Sequence, residues 1–255
     1  MAYTKHDLIN VEVFAQGVTE KLAGKLKAIP YAYRESFEGQ QVGSIKVPKT
    51  AYIGDASVVA KGEEIPFTAL SQSSVDVPLE KFAQATEIAD EDARGGFGQP
   101  LSIAENQLVA SIAGGMENKV ISELQKATLK VEAAKADYNA VLEALGKMGD
   151  SIEDAPYFLL YNPAQFQDLQ EGVVTSDKTG VLPKIAGAEI VMSNKVPAGE
   201  LFLVQNGVVG IYSAKEVNVE DQRDASRAVT ELVATEMAAI HLRDESKVVH
   251  ITIGA

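Results

Sequence analysis

The chain has 255 residues, with 23 Lys plus Arg against 36 Asp plus Glu, a formal charge of -13 and a sequence pI near 4.7. That balance excludes a protein built mainly to grip nucleic acid, because phosphate contacts need clustered Lys and Arg. With 46% apolar residues there is material for a core, and the absence of Cys excludes disulfides, thiolate nucleophiles and zinc–cysteine sites.

No stretch approaches the roughly 18 to 20 apolar residues of a membrane span, and Met1 to Asn10 is polar, so a soluble cytoplasmic product is expected. Aromatics are 6% and Trp is missing, which is sparse for a ligand pocket. From Thr4 to Leu26 apolar residues fall at Leu8, Val11, Phe14, Ala15, Val18, Leu22 and Leu26, the spacing of an amphipathic helix. Pro30 ends it, and Tyr31 to Glu38 reads as an irregular segment, so residues 1–38 are expected to form an arm. Between Gly39 and Leu79 the period changes to two, with Val42, Ser44, Ile45, Lys46 and Val47 going out and Ser73, Val75, Asp76, Val77 and Leu79 coming back. The charged turn Lys61-Gly62-Glu63-Glu64 marks the tip of a long hairpin, residues 39–80. A lone two-stranded ribbon is marginal in water and needs something to lie on.

Glu87, Asp90, Glu91 and Asp92 then crowd together before Arg94-Gly95-Gly96-Phe97-Gly98-Gln99-Pro100. Pro100 suits the first turn of a helix, and Leu101 to Lys126 carries the longest helical pattern, through Ala104, Leu108, Ile112, Met116, Val120 and Leu124. Gly114-Gly115 in its middle predicts a bend or a close backbone approach. Ala127 to Lys135 is polar and reads as a boundary. Tyr138, Val141, Leu142 and Leu145 predict a short helix closed by Gly146 or Gly149; Tyr157 to Tyr161 predicts a buried strand; Asn162-Pro163 predicts a capped helix start. Strands are expected at Gly187 to Met192 and at Leu201 to Val204, separated by a turn at Pro197-Ala198-Gly199, so residues 128–206 read as a small α+β unit. Alternation resumes at Val217 to Arg223, Ala228 to Leu242 is ambiguous between periods of 2 and 3.6, and Lys247 to Ile253 reads as a strand.

No residue set carries an active site. The acidic group at 87–92 lacks the ligand ladder of a calcium loop, and the glycines at 95–98 lack the Lys and Ser or Thr of a phosphate loop. His6, His241 and His250 are scattered, with no second ligand type at metal spacing, and no Ser sits in a G-x-S-x-G elbow. Arg223-Asp224 and Arg243-Asp244-Glu245 read as salt-bridging groups. The expectation is a structural protein that is not an enzyme and holds no metal or cofactor.

The order of elements resembles the major capsid proteins of tailed bacteriophages, with the Hong Kong-type fold that encapsulins share. Val58-Val59-Ala60-Lys61-Gly62-Glu63-Glu64-Ile65-Pro66 is similar to that family's extended loop, and Ala85 to Asp92 followed by Leu101 to Lys126 is similar to the lead-in and spine helix of its peripheral domain. Tyr157 to Leu169 resembles its axial-domain strand and helix, and Gly187 to Val191, Val196 to Gly199 and Val217 to Asp224 resemble the return to the peripheral sheet. The resemblance implies an α+β fold with an N-terminal arm (1–38), an extended hairpin loop (39–80), a peripheral domain (81–127 and 207–255) and an axial domain (128–206). On that reading Ala228 to Leu242 is a long bent strand. The implied function is a coat subunit that forms pentamers and hexamers of an icosahedral shell around double-stranded DNA, without sequence-specific binding, in a virion assembled in the host cytoplasm. Portal and a separate scaffolding protein are the implied partners, since no long N-terminal scaffolding domain is visible; an encapsulin shell holding a cargo enzyme is the alternative. Inter-subunit contacts are expected at Phe14, Tyr33, Val58, Lys61, Glu63, Glu64 and Phe67. Lys61 matches the position of a crosslinking lysine in some members, with no Asn or Glu partner assigned.

Overall fold

The computed structural model describes residues 31–37, 43–50, 58–59, 64–65, 67, 72–95, 100–149, 156–170, 173–174 and 184–254. In chain order these form β1 (Tyr33–Ser36), β2 (Ser44–Thr50), β3 (Gln72–Pro78), β4 (Glu80–Ala89), α1 (Asp90–Gly95) and α2 (Pro100–Leu124). Next come β5 (Leu129–Ala133), α3 (Tyr138–Met148), β6 (Tyr157–Tyr161), a 3-10 turn at Pro163–Gln165 and α4 (Phe166–Leu169). The chain continues through β7 (Val173–Val174), β8 (Lys184–Ile185), β9 (Ala188–Met192), β10 (Glu200–Gln205), β11 (Val209–Asp224), β12 (Val229–Leu242) and β13 (Val248–Ile253). The expected arm helix at Thr4 to Leu26 and most of the hairpin turn lie outside the described residues.

The apolar runs Tyr157 to Tyr161 and Leu201 to Val204 are continuous because their sheet is covered on both faces. It has seven strands in the order β5-β13-β10-β6-β9-β8-β7. Phe158, Leu160, Phe202, Val204 and Val248 point to one side, where Val120 and Leu124 of α2 meet them. Leu159, Tyr161, Leu201, Leu203, Val249 and Ile251 point to the other, against Val141, Ala144 and Leu145 of α3. Asp137 caps α3 by accepting from the Ala140 N–H at 2.9 Å, and Gly149, at φ +64°, follows its end. Asn162 caps the next turn as its sequence predicts, accepting from Ala164 N–H at 2.9 Å while Gln165 reaches back to the Asn162 N–H.

The second sheet has four strands, β1-β11-β12-β4. Along β12, Thr230, Leu232, Ala234, Glu236 and Ala238 are buried while Val229, Glu231, Val233, Thr235 and Met237 are half-buried, so the ambiguous stretch is a single strand of 14 residues. Leu108, Ile112, Met116 and Val120 of α2 cover the buried side together with Ile88, Leu232 and Ala234. Gly114 and Gly115 leave room for side chains rather than for another backbone. A Cβ on Gly115 would lie 3.3 Å from the Phe82 ring, and one on Gly114 would lie 3.2 Å from Lys195 Nζ. The β2–β3 ribbon seats Ile45, Val47 and Val77 on Tyr212 and Ala239 of the same sheet.

Three expectations change. Tyr31 to Glu38 is not wholly irregular, since Tyr33–Ser36 pairs in parallel with Gly210 to Ser213. The polar stretch 127–135 contains β5, whose charged residues flank a fully buried Val131. Val248–Ile253, expected with the peripheral residues 207–255, lies between β5 and β10 in the seven-stranded sheet, with Val249 and Ile251 buried on one face and Val248 and His250 on the other.

Candidate assembly interface

Large apolar side chains in the segment between β2 and β3 are exposed. Val58 is 101% exposed and Phe67 95%, and Ile65 and Glu64 beside them are exposed too. Phe14, Lys61 and Glu63 lie outside the described residues. Tyr33 sits elsewhere, on β1, with the Arg243 guanidinium 4.1 Å above its ring and Tyr212 beside it. Among the expected contact residues, Val58, Glu64 and Phe67 are exposed in the segment between β2 and β3, and Tyr33 lies on β1 at the edge of the four-stranded sheet.

The segment leading into β1 is pinned firmly. The Tyr31 ring stacks on Phe158 at 4.4 Å, its hydroxyl donates to Glu189 at 3.2 Å, and its carbonyl accepts from Gly207 N–H at 2.8 Å. Burial, followed by the negative charge of Glu189, raises the Tyr31 pKa, so the hydroxyl stays a donor.

Of the acidic group at 87–92, Glu87 and Asp90 are occupied structurally, while Glu91 and Asp92 are exposed. Arg223 holds both carboxylate oxygens of Asp90 at 2.6 Å, and Arg227 binds Asp224, Glu87 and Glu231. Hydrogen bonds from Arg227 and then from Ser226 hold the Asp224 carboxyl well below the usual carboxylate range. Arg243 takes a different part from the salt bridge expected of it: besides covering Tyr33 it donates to the Gly207 carbonyl, and Asp244 caps the turn at Ser246. The Arg227 cluster could not be read from the sequence, because Glu87 and Arg227 are 140 positions apart. A second cluster joins Lys119 of α2 to Glu80 at 2.5 Å and Lys126 to the buried Glu123 at 2.6 Å; the i,i+4 and i,i+3 spacings of Lys119, Glu123 and Lys126 are readable in the sequence, and the contact to Glu80 is not.

The two described histidines, His241 and His250, are also built into packing, and His6 lies outside the described residues. His250 stacks on Phe202 and approaches Glu200 at 3.1 Å, and His241 lies 3.7 Å from Glu123. Among the described residues no three metal-type ligands come together, and no helix is long and apolar enough to cross a membrane. What the surface offers is a set of exposed large apolar side chains at Val58, Ile65 and Phe67, of a kind suited to contact with another protein.

Residues 72–251 match the phage capsid protein family. The major capsid protein of Staphylococcus phage phiMR11 is 32% identical over 256 residues, covering 96% of this chain and 93% of that protein. The chain belongs to the phage capsid protein family. Its fold is shared with the virus-like particle from Pyrococcus furiosus, at a TM-score of 0.68 and 14% identity over 94% of this chain and 98% of that one. A structure of Gordonia phage Cozz matches with a TM-score of 0.68 and 12% identity over 90% and 87% of the two chains. The capsid protein thus has the α+β Hong Kong-type fold that its element order suggested. It is a structural shell protein of the virion, and its exposed ribbon belongs to a subunit that self-assembles.

Proposed function

We propose that this capsid protein forms the hexamers and pentamers of an icosahedral shell enclosing double-stranded DNA, as a coat subunit without enzymatic activity. The exposed tip of the ribbon carries the reading: Val58, Ile65 and Phe67 stand in water on a subunit whose cores are otherwise well buried. Burying each such side chain on a neighbour is worth about 1.5 to 3 kcal/mol, repeated at every subunit contact of a shell. Phe14, Tyr33, Lys61, Glu63 and Glu64 complete the contact set, with the arm and ribbon lying on adjacent subunits.

In this reading residues 1–38 form the arm, 39–80 the extended loop, 81–127 with 207–255 the peripheral domain, and 128–206 the axial domain, with β13 reaching from the peripheral part into the seven-stranded sheet. A net charge of -13 suits the task, because a strongly basic lining would trap the genome during entry. Portal and a separate scaffolding protein complete the assembly, which takes place in the host cytoplasm. Electron microscopy of the purified chain, with and without coexpressed scaffold, tests the proposal. Closed shells that pack DNA through a portal are expected; a compact monomer at high concentration would sink it, and uniform shells loaded with a protein cargo would indicate an encapsulin-type compartment instead.

A further inference from the structure

The four-stranded sheet ends on β4, and among the described residues no strand pairs with its outer edge. The register shows which backbone groups point away from β12 there. Asp90 N–H donates to the Ala228 carbonyl at 3.0 Å, continuing the ladder in which Ala89 faces Val229. Opposed residues of an antiparallel pair alternate between exchanging two hydrogen bonds and exchanging none. Counting back by twos from Asp90, residues Ile88, Thr86, Gln84 and Phe82 bond to β12, so Lys81, Ala83, Ala85 and Glu87 turn their N–H and C=O groups outward. Gln84 Nε2 donates to the Ala85 carbonyl at 3.2 Å, a local bond that a pairing strand would share or replace. The free stretch stops at Leu79, whose N–H is taken by the Gly43 carbonyl at 3.2 Å.

The side chains on this edge are as informative as its backbone. Lys81, Ala83, Ala85 and Glu87 are all exposed, while Ile88 is buried in the core and Gln84 accepts from Ser111 of α2. A long open edge invites strand pairing unless charges, Pro or bulges obstruct it. Here the middle carries two alanines, with one charge of each sign on either side.

We propose that β4 pairs antiparallel with β4 of a second copy of this chain about a two-fold axis at Gln84, joining two four-stranded sheets into one. The inference rests on the shell-forming reading, which supplies the second copy. In this register Lys81 faces Glu87 of the second copy, Ala83 faces Ala85, and both pairs occur twice by symmetry. Each outward-facing residue meets another outward-facing residue, so all four bond. Opposite charges directly across a pair stabilise it, and the alanines let the backbones approach. The neighbouring two-fold registers set Lys81 against Ala85 or Ala89 and lose that match. Arg227, 2.9 Å from Glu87, already holds the carboxylate in place.

The chain has no cysteine, so Gln84→Cys introduces a single thiol at the axis, where an opposed pair without hydrogen bonds brings Cα atoms to about 4.5 Å, within disulfide reach. Mild oxidation of assembled particles and of concentrated subunit should give a disulfide-linked dimer as the main species on a non-reducing gel. Adding Lys81→Glu should lower that yield about fivefold by opposing like charges, and adding Glu87→Lys as well should restore it. Ala85→Pro should keep the fold, since its N–H faces outward, and abolish the link; Thr86→Pro, whose N–H serves β12, should lose the fold. In the unmodified protein, the amides of Lys81, Ala83, Ala85 and Glu87 should exchange fast in the subunit and slowly in particles. Oxidised Gln84→Cys particles whose thiols stay unlinked, or a yield indifferent to Lys81→Glu, would overturn the pairing and leave the shell reading intact. If no particles form, the shell reading falls, and monomer alone in concentrated oxidised subunit overturns the pairing as well.

Discussion

Gly187 stands at φ +87° and its neighbour Ala186 at φ +48°, together making the two-residue turn between β8 and β9. Two positive φ values are what a hairpin turn of the primed type demands. A Cβ on Gly187 would also lie 2.6 Å from the Tyr157 hydroxyl, which donates to the Ala186 carbonyl. Gly187→Ala should therefore cost about 1 to 3 kcal/mol in chemical denaturation, whereas Ala186→Gly should be neutral or stabilising. Asp224 gives a residue-scale prediction in pH. Its carboxyl is depressed in the folded protein, so the stability it contributes is present above the unfolded value near 3.9 and is lost as pH falls below about 4. Thermal midpoints followed from pH 5 to 2 should fall less steeply for Asp224→Asn than for the parent chain; parallel curves would refute the role given to Arg227 and Ser226.

At the scale of elements, α2 shows how a helix can carry two glycines and remain continuous. Its 25 residues are unbroken in the fold, because Leu108, Ile112, Met116, Val120 and Leu124 anchor it along both sheets. Burial of that face outweighs the roughly 1 kcal/mol that each Gly costs relative to Ala. Gly114 meets only the flexible end of Lys195, so Gly114→Ala should raise stability by up to about 1 kcal/mol in urea unfolding. A clear loss would show that the Lys195 ammonium is fixed at that spot. The two sheets divide labour in the same way: β6 and β10, covered on both sides, are apolar throughout, while β12 alternates because one face is left half-open.

For the whole molecule, the ribbon separates folding from assembly. Its root is stitched to the body by Ile45, Val47, Val77, Tyr212 and Ala239, whereas Val58, Ile65 and Phe67 are exposed and outside that cluster. The double substitution Val58→Ser and Phe67→Ser should leave the subunit's unfolding midpoint within about 0.5 kcal/mol of the parent. The same variant should need a subunit concentration at least about tenfold higher to form particles, as read by sedimentation, since each lost apolar contact is worth more than about 1.4 kcal/mol. Unchanged assembly would remove the tip from the interface. The Ala83, Ala85 edge of β4 would add a second, backbone-mediated contact to the same shell.

By itself the sequence determined most of the elements, because their signals are local. Asn162-Pro163 caps a turn through its own side chain, the alternation around Ile45 to Val47 and Val75 to Val77 makes strands, and the α2 periodicity makes a helix. The order of those elements was enough to point to the capsid family. Only the tertiary structure decided where β13 goes, that Leu129–Ala133 is a strand, and that Glu87 and Asp90 are held by Arg227 and Arg223. Each of these depends on a partner far along the chain: β13 pairs with residues near 130 and near 202, and Arg227 reaches back to Glu87. Local propensity sets what a segment can be, while long-range pairing and burial select its neighbour, and a single sequence records only the first.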